Sequence, residues 1–266
     1  MSRDTICIWR GRALFLGQLP AAEPHLHSAA AVCVGLESAL RVQEDDEWRE
    51  CRSALIPHNV WHNLVCDGPC AVLFMDPDAS GYEKLSESNG ALAGCSFDIR
   101  QTEALQSIFK SIQNDDSAIS DALARIDRVT FRSPETGQFP QDERLRRVIE
   151  YMLETNLESN PPVEELCSIS DLSESRLQHL FKETLGISIR KFRIWFRLKA
   201  AAILLKEGSD FTQAALGAGF YDAAHLSHCF RDTFGFAPSA IFKGQREVRW
   251  HIQDELETKQ LLNLSR

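Results

Sequence analysis

The sequence predicts two domains of different class. The first is mainly β, a small barrel or double-sheet sandwich with trailing helices. The second is all-α, with two helix-turn-helix units joined by a long helix. Three observations carry this reading. Short apolar runs broken by turn residues fill the chain to about Phe74. From Thr102 the apolar spacing changes to that of a helix face. Near the C-terminus one pattern is written twice without a gap, over Ser173–Ile187 and Asp222–Phe236.

At 266 residues and 44% hydrophobic composition, the chain can fill two ordinary cores. No apolar run approaches the roughly 18–20 residues of a membrane-crossing helix, and the start, Met1-Ser-Arg-Asp-Thr-Ile-Cys7, lacks a signal-peptide pattern. A cytoplasmic protein without a membrane partner is expected. Its eight cysteines are scattered with no C-x-x-C pair, which fits reduced thiols. The net charge of −9 speaks against a nucleic-acid partner only in sum. Between Asp171 and Lys206 the bases Arg176, Lys182, Arg190, Lys191, Arg193, Arg197, Lys199 and Lys206 face only Asp171, Glu174 and Glu183. That stretch is locally positive, and local sign governs phosphate binding.

In the first domain, residues 1–97, the clearest strands are Ala29–Gly35, Ser53–Ile56 and Cys70–Met75, punctuated by Gly11, Gly35, Pro57, Gly68-Pro69 and Pro77. Two histidine features sit on it: His25-Leu-His27, and Pro57-His-Asn-Val-Trp-His62. This arrangement resembles the cupin barrel, in which an H-x-H and a later P-x-x-x-x-H meet at the barrel mouth. The acidic ligand of cupin metal sites is missing, since Ser28-Ala-Ala-Ala-Val follows His27. Imidazoles of this kind can hold Zn or Fe. The reading adopted is that His25, His27, Trp61 and His62 line the mouth of a pocket for an organic effector, with no metal and no cofactor assigned. Cys66 and Cys70 bracket Asp67-Gly-Pro, a hairpin turn that can bring two thiols together as a redox or soft-metal sensor; the alternative is that they are small core hydrophobes.

Residues 98–132 are read as two amphipathic helices. Leu105, Ile108, Phe109 and Ile112 share one face, and Ile119, Ala122, Leu123 and Ile126 share another. They either pack on the barrel or form a seam with a second copy. Ser133–Pro140, rich in Pro, Gly and polar residues, is the expected linker and domain boundary.

The second domain spans 141–245, with helix-turn-helix units at 162–185 and 211–234. Leu145, Val148, Ile149, Met152 and Leu153 stripe a helix that ends before Pro161-Pro162. A helix carrying Leu166 and Ile169 follows, then the turn Ser170-Asp-Leu and the first copy of the repeat. Each copy opens on a helix-capping residue, Ser173 or Asp222, and closes on Gly186 or Gly235. Leu177, Phe181 and Thr184 align with Leu226, Phe230 and Thr233. A long helix from about Ser188 to Lys206 joins the copies, and Asp210-Phe-Thr-Gln213 has the form of a capping box. The tail, 246–266, reads as a further helix with Leu256, Leu261 and Leu262, without an assigned role.

These residues resemble the AraC/XylS-type transcriptional regulators over about Asp142 to Lys243. The family pattern appears as Leu177…Phe181-Lys182…Gly186, then Arg197…Ala201…Leu204-Leu205, then Ala215…Gly219-Phe220…Phe230…Gly235…Pro238. The resemblance implies a sequence-specific regulator that binds double-stranded DNA and works with RNA polymerase. It also implies a cupin-like effector domain. A homodimer is expected, and the lack of a nucleophile–base signature or phosphate-binding glycine loop favours a non-enzyme. The alternative is a metal-dependent cupin enzyme, or a metal or redox sensor, with an appended DNA-binding domain. Departures from the pattern are His179 and His228 where arginine is usual, Leu226 for an aromatic, and Ile189 for a proline.

A helix-turn-helix sets its second helix in the major groove. With Leu177, Leu180 and Phe181 inward, Ser175, Arg176, Gln178 and His179 include the outward set; in the second copy Ala223, Ala224, His225 and His228 take that part. Gln178 suits adenine, Arg176 suits guanine or phosphate, and the two alanines suit thymine methyls. Lys182, Arg190, Lys191 and Arg231 suit phosphate. The first copy is expected to carry more base readout than the second.

Overall fold

The structure is a computed structural model that describes residues 4–9, 11–79, 81–91, 94–131, 140–155, 160–242 and 247–253. The chain divides into two compact units, 1–137 with 231–253 and 138–230 with 254–266.

In the first unit the strands are β1 (Asp4–Trp9), β2 (Arg12–Gly17), β3 (Ala30–Gly35), β4 (Leu40–Glu44), β5 (Glu47–Cys51), β6 (Ser53–Ile56), β7 (His62–Cys66) and β8 (Cys70–Met75). Helix α1 (Tyr82–Asn89), strand β9 (Ser96–Phe97), helices α2 (Thr102–Asn114) and α3 (Ile119–Phe131), and strand β10 (Val248–Ile252) complete it. The strands form two sheets, one ordered β10-β1-β2-β8-β3-β6-β9 and one ordered β5-β4-β7. Strands β3 and β8 are buried along their whole length, which is why they read as continuous apolar runs rather than as alternation. Strand β5 has an exposed Glu-Trp-Arg-Glu run and was correspondingly hard to see in the sequence.

The apolar faces expected on the two middle helices are present, and Leu105, Ile108, Phe109, Ile112, Ile119, Ala122, Leu123 and Ile126 are all buried. They belong to one cluster with Trp9, Leu14, Val32, Leu55 and Leu73 of the sheet. Of the two readings, packing on the sheet is the one these faces realise, since their apolar area is removed from water within the unit. The tail reading is corrected over Val248–Ile252 only. Val248–Ile252 is a strand, not a helix, and pairs parallel with β1 in the register Asp4 with Val248 to Ile8 with Ile252. Arg249 reinforces the pairing, its guanidinium donating to Thr5 Oγ1 at 2.9 Å and to the Ile112 carbonyl at 2.6 Å. Leu256, Leu261 and Leu262 lie outside the described residues, as do 133–139 of the expected linker.

The second unit is helical: α4 (Glu143–Glu154), α5 (Val163–Ser170), α6 (Glu174–Leu185), α7 (Ile189–Lys206), α8 (Phe211–Gly217) and most of α9 (Ala223–Phe234); α10 (Ser239–Phe242) follows in the chain. Its stops and starts are chemically explicit. Asp142 accepts from the backbone N–H of Arg144 and Leu145, Ser173 from that of Arg176, and Ser188 from that of Lys191. Asp210 and Gln213 make a full capping box. Gly186 closes α6 at φ 69°, a left-handed conformation that glycine adopts without strain. Leu177, Phe181 and Leu185 of α6 are buried, as are Phe192, Trp195, Phe196 and Leu198 of α7. Phe181 meets Phe192 edge-on at 5.4 Å between ring centroids.

Candidate nucleic-acid interface and histidine cluster

Two sites emerge, a helix-turn-helix face and a histidine cluster. In the second unit, α5-turn-α6 and α8-turn-α9 are the two helix-turn-helix motifs. Asp171 sits at φ 54° in the first turn, and Gly219 at φ 79° in the second. On α6 the side chains of Ser175, Arg176, Gln178, His179 and Lys182 are exposed, on the face opposite Leu177 and Phe181. Two of them are tied to their own helix. Gln178 Nε2 donates to Glu174 Oε1 at 2.8 Å, and His179 Nδ1 lies 3.3 Å from Glu183 Oε2. The carbonyl oxygen of the Gln178 amide is not used in that bond. Arg190 is exposed and Lys191 half-buried at the start of α7. Burial, and then the nearby Lys182 ammonium, push the Lys191 pKa down, so the two ammonium groups form one basic patch.

On α9, Ala224 and His228 are exposed and Ala223 is half-buried. His225 is turned toward the preceding loop. Its backbone N–H donates to Asp222 Oδ1 at 2.7 Å, its Nδ1 accepts from the Tyr221 N–H at 3.2 Å, and its ring meets Phe220 at 5.4 Å. Arg231 is exposed near the end of the helix. Lys199, counted from the sequence among the bases of the positive stretch, is instead buried in α7, with its ammonium 5.3 Å from the Phe196 ring centroid. It lies in an apolar run that gives no sign of a buried cation.

In the first unit His25, His27 and His62 are brought together and are all buried. His25 and His62 exchange two backbone hydrogen bonds of 2.9 Å, which fix the spacing of their side chains. The three ring centroids lie 4.5–4.9 Å apart. Burial and the neighbouring imidazoles drive the His27 pKa well below 6.5, and burial is the first cause of the drop to about 3 at His62. All three rings are therefore neutral at pH 7. Phe74 and Phe234 stand beside His27 at 5.1 and 6.4 Å, contacts with no signal in the local sequence. Trp61 is not gathered into the cluster; it is 60% exposed. Cys66 and Cys70 end β7 and begin β8 as the hairpin reading implied. Cys70 and Ser38 hydrogen-bond the Cys66 sulfur and lower its pKa to about 6, while Cys70 is pushed up.

Comparison with known proteins now bears on the second unit. A helix-turn-helix domain family matches residues 166–244. The arabinose operon regulatory protein of Escherichia coli is 33% identical over 110 residues, 41% of this chain and 37% of that protein. Residues 166–244 are an AraC-type helix-turn-helix domain. The HTH-type transcriptional regulator GbdR of Pseudomonas aeruginosa is likewise 33% identical to this chain, over 95 residues, 35% of this chain and 26% of that protein. The chain thus spans little more than a third, or less, of the length of these relatives, and the likeness lies in the AraC-type domain. The whole architecture has a counterpart in ToxT of Vibrio cholerae, with a TM-score of 0.55 over 87% of this chain and 97% of that one at 12% identity. At that identity the likeness is one of fold: a mainly-β region followed by a helical region. A structure of ToxT with an unsaturated fatty acid bound has a TM-score of 0.52.

Proposed function

We propose that this protein is a sequence-specific DNA-binding transcription regulator of the AraC type, acting in the cytoplasm on double-stranded DNA and with RNA polymerase. The observation that carries the reading is the repeat itself. Both copies keep a buried leucine, Leu177 and Leu226, under a set of outward side chains, within a domain that matches the AraC type. No helix among the described residues is long and apolar enough to cross a membrane. The relatives carrying this domain are regulators, and we assign the chain no reaction.

Base reading falls to Ser175, Arg176, Gln178 and His179 of α6, with Ala223, Ala224, His225 and His228 as the weaker companion set on α9. Lys182, Arg190, Lys191 and Arg231 contact phosphate. Replacing Gln178 by alanine is expected to cost about 1–3 kcal/mol at one base position, since it removes the bidentate amide–adenine pair that Gln178 makes when its amide leaves Glu174. A binding array of operator variants measures this, and an equal loss on every sequence would remove Gln178 from the reading set. Lys191→Ala should instead weaken all sequences alike and reduce the slope of log K against log salt by about one unit. Fluorescence anisotropy between low and moderate salt is the check, and an unchanged slope would take Lys191 off the phosphate.

Control by a small-molecule effector in the mainly-β unit completes the proposal. ToxT, of the same fold, has been crystallised with a fatty acid, which supports an organic ligand for this architecture. If two copies pair on DNA, they do so through a surface other than the buried faces of α2 and α3. Genomic footprinting of the purified full-length chain tests the function as a whole: discrete protected sites support it, and uniform occupancy overturns it.

A further inference from the structure

We propose that His25, His27 and His62 form a binding site for one divalent first-row transition-metal ion. One candidate ligand nitrogen from each ring lies within 4.8 Å of the others, and the group contains no carboxylate or thiol. Two of the three tautomers are set from outside the cluster. His25 Nδ1 is 2.9 Å from the Glu23 carbonyl oxygen, and His62 Nδ1 is 2.9 Å from the Val60 carbonyl oxygen. A carbonyl only accepts, so both Nδ1 atoms carry the hydrogen and both Nε2 lone pairs are left facing inward. This is the arrangement by which a ligating histidine is oriented through its other ring nitrogen.

Without an ion the cluster is poorly satisfied. His25 Nε2 lies 3.1 Å from His27 Nε2, so one hydrogen can be shared there. His62 Nε2 is then buried without a hydrogen-bond partner, a cost of about 1–3 kcal/mol that an ion would remove; His27 Nδ1 is also unpartnered, and ligation through Nε2 leaves it so. An ion at the centre takes the three Nε2 lone pairs together. Two nitrogens each about 2.0–2.1 Å from a tetrahedral ion stand roughly 3.3–3.4 Å apart, close to the spacing already present between His25 and His27. Neutral imidazole favours Zn, Cu, Fe or Ni over Mg or Ca. Three protein ligands leave a fourth position for water or a small anion. With no carboxylate in the cluster the ion would keep its full double charge, which favours the anion.

The test uses the full chain, stripped with a chelator and given Co(II) alone or Zn(II) alone. One Co(II) per chain should be retained through gel filtration, with the visible absorption of a four-coordinate centre. X-ray absorption at the Zn edge should count about three imidazoles at roughly 2.0–2.1 Å. A folded His25→Gln/His27→Gln/His62→Gln variant should lose the retained ion. The proposal is overturned if the wild type retains none, if a folded triple variant retains as much, or if the Zn neighbours are sulfur. Should the triple variant fail to fold, the ligand count on the wild type decides alone. None of these readouts involves DNA, so failure here leaves the regulatory reading standing, and the reverse.

Discussion

Replacing Phe181 by alanine is expected to destabilise the second unit by about 3–5 kcal/mol, the usual cost of removing a buried phenylalanine. Its ring has no exposed surface and stands edge-on to Phe192 at the start of the long helix α7. Removing it leaves a cavity where α6 is held against α7, so α6 loses the support that aims its outward side chains. Operator affinity should fall with stability. Phe230, the aligned residue of the second copy, is only half-buried, and Phe230→Ala should cost distinctly less because part of that surface already meets water. A urea titration of the full chain, followed through the transition of the helical unit, measures both. Equal shifts for the two variants would contradict the asymmetry drawn from their burial.

The second large effect is acid lability of the metal-free first unit. In the unfolded chain His62 titrates near 6.5, whereas in the fold its pKa is lowered to about 3 by burial and then by His25. Above pH 6.5 the residue is neutral in both states and contributes no pH dependence. As the pH falls below 6.5 the unfolded chain takes up a proton that the folded chain refuses, so stability declines until the pH passes the folded value. For His62 alone the loss is about 2 kcal/mol by pH 5, and His27, whose pKa moves the same way, adds to it. Urea midpoints in the presence of a chelator, from pH 7 to pH 5, stand above the ordinary carboxylate range. A flat profile over that interval would contradict the buried neutral cluster, and His62→Gln should flatten it in part.

Much of the second unit was legible because its signals are local. A capping residue, an apolar residue at helical spacing and a closing glycine lie within a few turns of each other, and the repeat shows them twice. The bounds of α6 and α7 follow from Ser173, Gly186 and Ser188. The outward set was legible for the same reason, since Leu177 and Phe181 leave their neighbours one direction to face. The intrahelical tie of Gln178 to Glu174 and the tie of His225 to the Tyr221 backbone in the preceding loop were not, because a helix position constrains a side chain's direction and not its partner.

The sequence by itself determined the class of each unit, the two helix-turn-helix motifs and the identity of the three histidines. The tertiary structure alone decided what lies far apart in the chain. It paired β10 with β1, buried α2 and α3 on the sheet, left Trp61 in solvent, and set Phe74 and Phe234 beside His27. The physical reason is range. Helix caps and faces are fixed by hydrogen bonds and burial within a few residues, whereas parallel pairing and cluster closure depend on which distant segments remove each other from water. Histidines at 25, 27 and 62 became one site only when two backbone hydrogen bonds joined His25 to His62.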